Sequence, residues 1–254
     1  NKLGLQITDN GTGKTALSKT GAGTWILTNP GSTYTGVTSI TGGVLGVDKL
    51  ADGGFASSLG QSANLASNLI IGSGATLRYT GAGDTTDRRF TLGVGTTAIE
   101  SSGSGAVQFN NTAAVSYSGN GPRVVSLGGT NTGDNIMGAA IGNQSAANVS
   151  SLAKIGAGMW ILTGDNAYTG VTNLQQGTLI LGAGGATGSI ASQTVNNFGV
   201  LGFDRSDDLA YDGVISQTGA VEQLGAGKTT LTGTNTYTGG TTISAGVLEL
   251  GAGG

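Results

Sequence analysis

One stretch of sequence, written three times, constrains this chain more than any other feature: GAGTWILTNPGSTYTGVTSITGGVLGV from Gly21, GAGMWILTGDNAYTGVTNLQQGTLIL from Gly156 and GAGKTTLTGTNTYTGGTTISAGVLEL from Gly225. A long repeat in which no catalytic residue types accumulate belongs to a stacked architecture, where each copy buries its apolar side against its neighbours. Copies lie near residues 17–50, 152–185 and 220–254, and their first long strand recurs at Trp25, Trp160 and Thr229, steps of 135 and then 69 residues. The doubled first step predicts a degenerate copy near residues 88–109, where RRFTLGVG precedes GAVQF. A unit of about 68 residues is too long for one solenoid turn, whereas three coils of about 22 fit it.

Short runs rich in Val, Ile, Thr, Leu and Tyr, bounded by Gly, Asn and Asp, read as strands throughout. The best helical candidate, Gly138 to Leu152, is weakened by its Gly, Asn and Ser content. Strand parity places Leu27, Leu162 and Leu231, Leu45, Leu179 and Leu248, and Ile40, Leu174 and Ile243 in the interior, with Trp25 and Trp160 on the same face as the leucine two residues on. Thr229 is a small polar residue where the other copies carry a large ring. Between strands, the tripeptides at Tyr34, Tyr168 and Tyr237 supply a turn in which Gly36, Gly170 and Gly239 are free to take positive φ. Asn166 and Asn235 are placed to hydrogen-bond their copies along a stack, a ladder that Ser32 interrupts. The chain therefore reads as all-β, one continuous β-solenoid over residues 1–254.

Composition narrows the function classes. Fifty glycines are a composition often found in disordered chains, but 37% hydrophobic residues and a net charge of −3 indicate a folded, turn-rich protein. The acidic balance argues against nucleic acid as a partner, and the one basic pair, Arg88-Arg89, is expected to be neutralised by Asp84 and Asp87. Cysteine and histidine are absent, which removes disulfides, thiolate metal sites and the usual general base. No run of about 20 apolar residues is present, so no helical membrane insertion is expected. The opening NKLGLQITDNG lacks the regions of a signal peptide, and the closing LGAGG repeats the phase of Leu181 to Gly185, so the sequence reads as a piece of a longer protein.

Several motifs imitate chemistry. GTGKTAL at Gly11 and GAGKTTL at Gly225 resemble a phosphate-binding loop, but its first glycine is replaced by Thr8 and Glu222, and the second stretch is a repeat strand. The carboxylates of Asp204, Asp207, Asp208 and Asp212 suit calcium as a cluster, yet no GGxGxD repeat accompanies them and solvated turns are the expectation. Asp84, Asp87 and Arg88 are read as a local ion pair or turn rather than as the carboxylate and basic groups of a polysaccharide-degrading enzyme. Tyr34, Tyr168 and Tyr237 present the pattern of an exposed sugar-stacking row, or of structural turn residues, the latter being favoured. Sequons at Asn111, Asn143 and Asn148 are expected by chance in so Asn-, Ser- and Thr-rich a chain.

On these residues the chain resembles the passenger domains of Gram-negative autotransporters that carry the autotransporter-associated β-strand repeat, or passenger-associated transport repeat. That family's pattern, approximately GaGTLtLtGxNtYtGgTtixxGxLxlG, is followed in all three copies, with Trp25 and Trp160 in place of leucine. ATLRYTGAGDTTDRRFTLG from Ala75 is similar to the family's linker between repeats. The resemblance implies a right-handed parallel β-helix, a virulence-associated surface or secreted location by type V secretion, and a C-terminal outer-membrane β-barrel as the chain's own partner. It further implies that the repeat assists secretion and folding. The expected role is thus a structural stalk, not an enzyme, with no cofactor and no metal. An adhesin segment contacting a host ligand or a second copy is the alternative, and a β-helix polysaccharide-degrading enzyme is the less favoured one.

Overall fold

The computed structural model describes residues 1–251; residues 252–254, the end of the third copy, lie outside the described residues. The chain winds into a three-faced parallel β-solenoid. Its first face is a ten-stranded sheet running from Lys2–Leu3 to Val214–Ser216, and its second is an eight-stranded sheet from Ala82–Thr86 to Thr241–Ile243. Three shorter sheets make the third face, from Leu17–Lys19 at one end to Val247–Leu250 at the other. Every pairing of strands among the described residues is parallel, as successive coils require when each face is revisited once per turn. About 11 turns result, which at roughly 4.8 Å per strand gives a rod about 50 Å long.

Coil length varies, while register within a pairing holds except for a shift between Leu181 and Gly185. Neighbours in register are 19 residues apart at Trp160 and Leu179 but 32 at Leu45 and Leu77. The difference is absorbed by the connection 48–65, the longest between elements among the described residues. The core is a set of like side chains stacked from coil to coil. Leu45, Leu77, Ile99 and Leu127 form one column, and Met137, Leu162, Leu181 and Phe203 another, all essentially inaccessible to water. Each such leucine contributes on the order of 2 kcal/mol of transfer free energy. The stretch 138–152 holds strand and turn, and the one helical element among the described residues is a 3₁₀ turn at Ala66–Asn68.

The two ends depart from the parity reading. Trp25 is 42% exposed although Leu27 is buried; the neighbouring strand Lys2–Leu3 pairs with Ile26 and Leu27 and does not extend over Trp25. At the other end Ile243 and Leu250 are exposed and Leu248 is half-buried, since no following coil covers them among the described residues. Leu27, Leu45, Leu162, Leu179, Leu231, Ile40 and Leu174 all lie in the core, and Thr229 is buried as well.

Candidate functional site

Each matched copy builds the same two-coil unit. Its first and third strands pair in register, Lys19 with Ile40, Lys154 with Leu174 and Gln223 with Ile243. The second and fourth pair likewise, Trp25 with Leu45, Trp160 with Leu179 and Thr229 with Leu248. The copies do not occupy the same faces. The second strand lies on the first face in copy one (Thr24–Leu27), on the second face in copy two (Met159–Leu162) and on the third face in copy three (Lys228–Leu231). The 69-residue step therefore spans three coils plus one face, not three coils, and each copy is turned by about a third of a revolution from the last.

Inside this unit sits a buried polar group that hydrophobic parity does not single out. Lys19 and Lys154 point inward and are buried, and each ammonium donates to three backbone carbonyls and to no carboxylate. Lys154 Nζ reaches the oxygens of Ile155 (3.1 Å), Gly156 (2.8 Å) and Gln176 (3.0 Å), and Lys19 Nζ reaches those of Thr20, Gly21 and Gly42 at 2.8–2.9 Å. In copy three Gln223 Nε2 holds the carbonyls of Gly225 (2.9 Å) and Gly227 (3.1 Å). The polar tip thus closes the corner that leads into the next strand and satisfies carbonyls that the sheets leave unpaired. Burial pushes the Lys154 ammonium down to about 8. The signal was available: the residue two before the first glycine of GxG is Lys, Lys and Gln, at an inward parity.

The tyrosines are structural. Tyr34 and Tyr168 are fully buried, so there is no exposed row of rings, and the hydroxyl of each meets a threonine Oγ1 four residues on at 2.7 Å (Thr38, Thr172). Tyr237 repeats the contact with Thr241 at 2.7 Å. Desolvation raises the Tyr34 hydroxyl to about 12 and raises that of Tyr168 further. Gly36, Gly170 and Gly239 do not take positive φ. They are glycine because a Cβ would run into the backbone of the preceding coil, at Thr15, Ser150 and Gly219 respectively. Positive φ is instead required at Gly43, Gly177 and Gly246 (64°, 70°, 59°), just before the last strand of each copy.

Asn166 and Asn235 bond not to one another but to the adjacent coils, because copies in sequence are not neighbours in the stack. Asn166 Oδ1 accepts from Ile141 N and Asn235 Oδ1 from Ile215 N, both at 2.9 Å. Ser32 Oγ accepts from Ile7 N at 3.1 Å, so it does the same work and interrupts nothing.

The look-alike motifs resolve into scaffold. GTGKTAL lies in a loop pinned by Asp9, which accepts from Thr15 N and Thr35 N, and Lys228 of GAGKTTL sits on a strand and pairs with Glu249. Asp207 is held by Arg205, which lowers its pKa, and Asp212 accepts from Gln193. Arg88 is not neutralised by Asp84 and Asp87. Its buried guanidinium donates to backbone oxygens of Ala51 (2.9 Å), Gly60 (2.8 Å), Ser62 and Phe55 (3.3 Å each), while Asp84 pairs with Lys49 and Asp87 accepts from Gly53 N. Arg88 thereby fastens the whole 48–65 connection to the solenoid. Asn143 spends its side chain on Thr169 and Ser150 within the corner.

The passenger-associated-transport-repeat family matches this chain at residues 17–47, 152–181 and 221–250, the three copies described above. Among curated proteins, the adhesin BmaC autotransporter of Brucella suis biovar 1 (strain 1330) is 56% identical over 217 residues, covering 85% of this chain and 6% of that protein. The chain thus spans a small fraction of the relative it matches. No solved structure matches it.

Proposed function

We propose, on the premise that this chain belongs to the autotransporter passengers that carry passenger-associated transport repeats, that it is a stalk segment whose repeats drive its own folding during export. A passenger is exported and displayed at the bacterial surface, and its own C-terminal outer-membrane barrel is the partner we assign to the whole protein. The observation that carries the folding role is the third-of-a-turn offset. A docking site for an export factor should face one way along the rod, yet the copies present the same residues on three faces. What they preserve is internal: the Lys or Gln corner, the Tyr–Thr bond and the paired strands. Two coils closed in this way form a nucleus on which neighbours add, and each added coil buries apolar area that opposes backward sliding.

The non-enzymatic reading is supported by Asp84, Asp87, Asp207, Asp212, Arg88 and Lys154, each of which is engaged with neighbouring backbone or side chains of the scaffold. An adhesive role is the second reading, supported by the name of the relative. The test is deletion of residues 156–254 from the intact parent protein. Display, measured with an antibody against a distal tag, should fall, while adhesion per displayed molecule stays nearly unchanged. Unaltered display with collapsed adhesion per molecule overturns the stalk reading and favours the adhesive one.

A further inference from the structure

The chain contains two asparagine–glycine pairs, Asn10–Gly11 and Asn120–Gly121, and the fold treats them differently. An asparagine followed by glycine can lose its side-chain amide without an enzyme, because a residue with no Cβ lets its own nitrogen reach the preceding Cγ. Closing that five-membered ring turns the intervening peptide about the asparagine Cα–C bond, so a peptide fixed by hydrogen bonds resists it. Asn10 exchanges backbone bonds with Gly13, its N donating at 3.1 Å and its O accepting at 3.0 Å, which holds the Asn10–Gly11 peptide in place. In the other pair neither Asn120 O nor Gly121 N has a backbone partner among the described residues, and Asn120 is exposed.

The corner around Asn120 is built from beneath. Arg123, 1% exposed, donates to the oxygens of Ser118 (2.8 Å), Gly119 (2.6 Å) and Gly121 (2.8 Å) and to Gln144 Oε1 (2.9 Å), and its guanidinium lies 4.8 Å from the centre of the Tyr117 ring. None of these partners is a carboxylate. Gly121 packs on Val94, whose Cγ1 would come within 2.7 Å of a Cβ, so packing itself demands the residue that leaves the nitrogen open. Arg123 fixes the carbonyls on either side, while the peptide between them is free to turn.

We propose that Asn120 is a site of spontaneous modification, where the Gly121 nitrogen displaces the side-chain amide and water opens the resulting ring, placing a carboxylate at the Arg123 corner. Solvent hydroxide removes the Gly121 N–H proton, and the nitrogen attacks Asn120 Cγ. The new C–N bond forms as the Cγ–Nδ2 bond breaks, and Nδ2 leaves with a proton as ammonia. Water then adds to one of the two ring carbonyls. Addition at Cγ leaves an aspartate; addition at the main-chain carbonyl leaves an isoaspartate, whose backbone is one methylene longer and draws Gly121 O away from Arg123. No group is oxidised or reduced. The reaction requires only the folded corner and is independent of both the stalk and the adhesive readings.

The experiment holds the intact parent protein at pH 8 and 37 °C in water enriched in heavy oxygen, either folded or in guanidinium chloride, and follows both asparagines by digestion and tandem mass spectrometry. In the folded protein Asn120 should convert at least about fivefold faster than Asn10, the factor that the backbone bonds of Asn10 impose. In denaturant the two rates should come together. Each conversion should incorporate one heavy oxygen, and Asn120→Gln should remain unconverted because its ring would have six members. Conversion of Asn10 as fast as that of Asn120 in the folded protein, no conversion at Asn120, conversion without heavy oxygen, or cleavage of the chain after Asn120 overturns the proposal.

Discussion

Lys154→Gln is a substitution the protein has itself made at Gln223, and it tests the buried corner directly. Lys154 is fully buried, and its ammonium has three carbonyl acceptors but no counter-charge. In the folded state it titrates near 8, against an ordinary value of 10.5. Between these values the unfolded chain binds a proton that the folded chain has released, so stability rises with pH across that window. The full difference corresponds to about 3 kcal/mol, because one unit is worth about 1.36 kcal/mol. Glutamine keeps two donors and has no proton to lose, so the variant should lack this rise. Thermal unfolding followed by circular dichroism at pH 7, 8, 9 and 10 should show the native protein gaining on Lys154→Gln by several degrees, taking roughly 2–4 °C per kcal/mol for a domain near this size. The raised tyrosines oppose this above pH 10, since their folded forms hold protons that the unfolded chain releases, but they are common to both proteins and cancel in the difference. Parallel pH curves for the two proteins would refute the uncompensated buried ammonium.

Two further expectations follow from the stack. Leu162→Asp or Leu179→Asp places a carboxylate in a column of buried side chains and should cost several kcal/mol, whereas Asp208→Ala on the exposed corner should be near neutral; equal melting temperatures would show the interior assignment to be wrong. Gly177 and Gly184 both have positive φ, 70° and 74°, but a Cβ on Gly177 meets carbonyls of Gly156 and Gly158 while one on Gly184 meets nothing within 4 Å. Gly184→Ala should therefore cost about 1 kcal/mol and Gly177→Ala clearly more, measured as the difference between the two melting curves.

The sequence by itself determined the solenoid, because period-two alternation repeated at fixed spacing has few ways to bury its apolar face other than by stacking. It also determined the interior column residues Leu27, Leu162 and Leu231, since parity along a strand is a local property. It did not determine what neighbours across coils. Register between coils depends on connection lengths that vary from corner to corner, so the asparagines predicted to pair with one another pair with adjacent backbones instead. Nor does local pattern distinguish a glycine that takes positive φ, as Gly43 and Gly177 do, from one that admits close approach of backbone, as Gly36 and Gly170 do. An inward lysine looks like an error in a hydrophobic pattern until the carbonyls around Lys154 are in place. The face on which each copy lands was likewise settled only by the winding, because a third of a turn is a sum over many corners and is written in no single one of them.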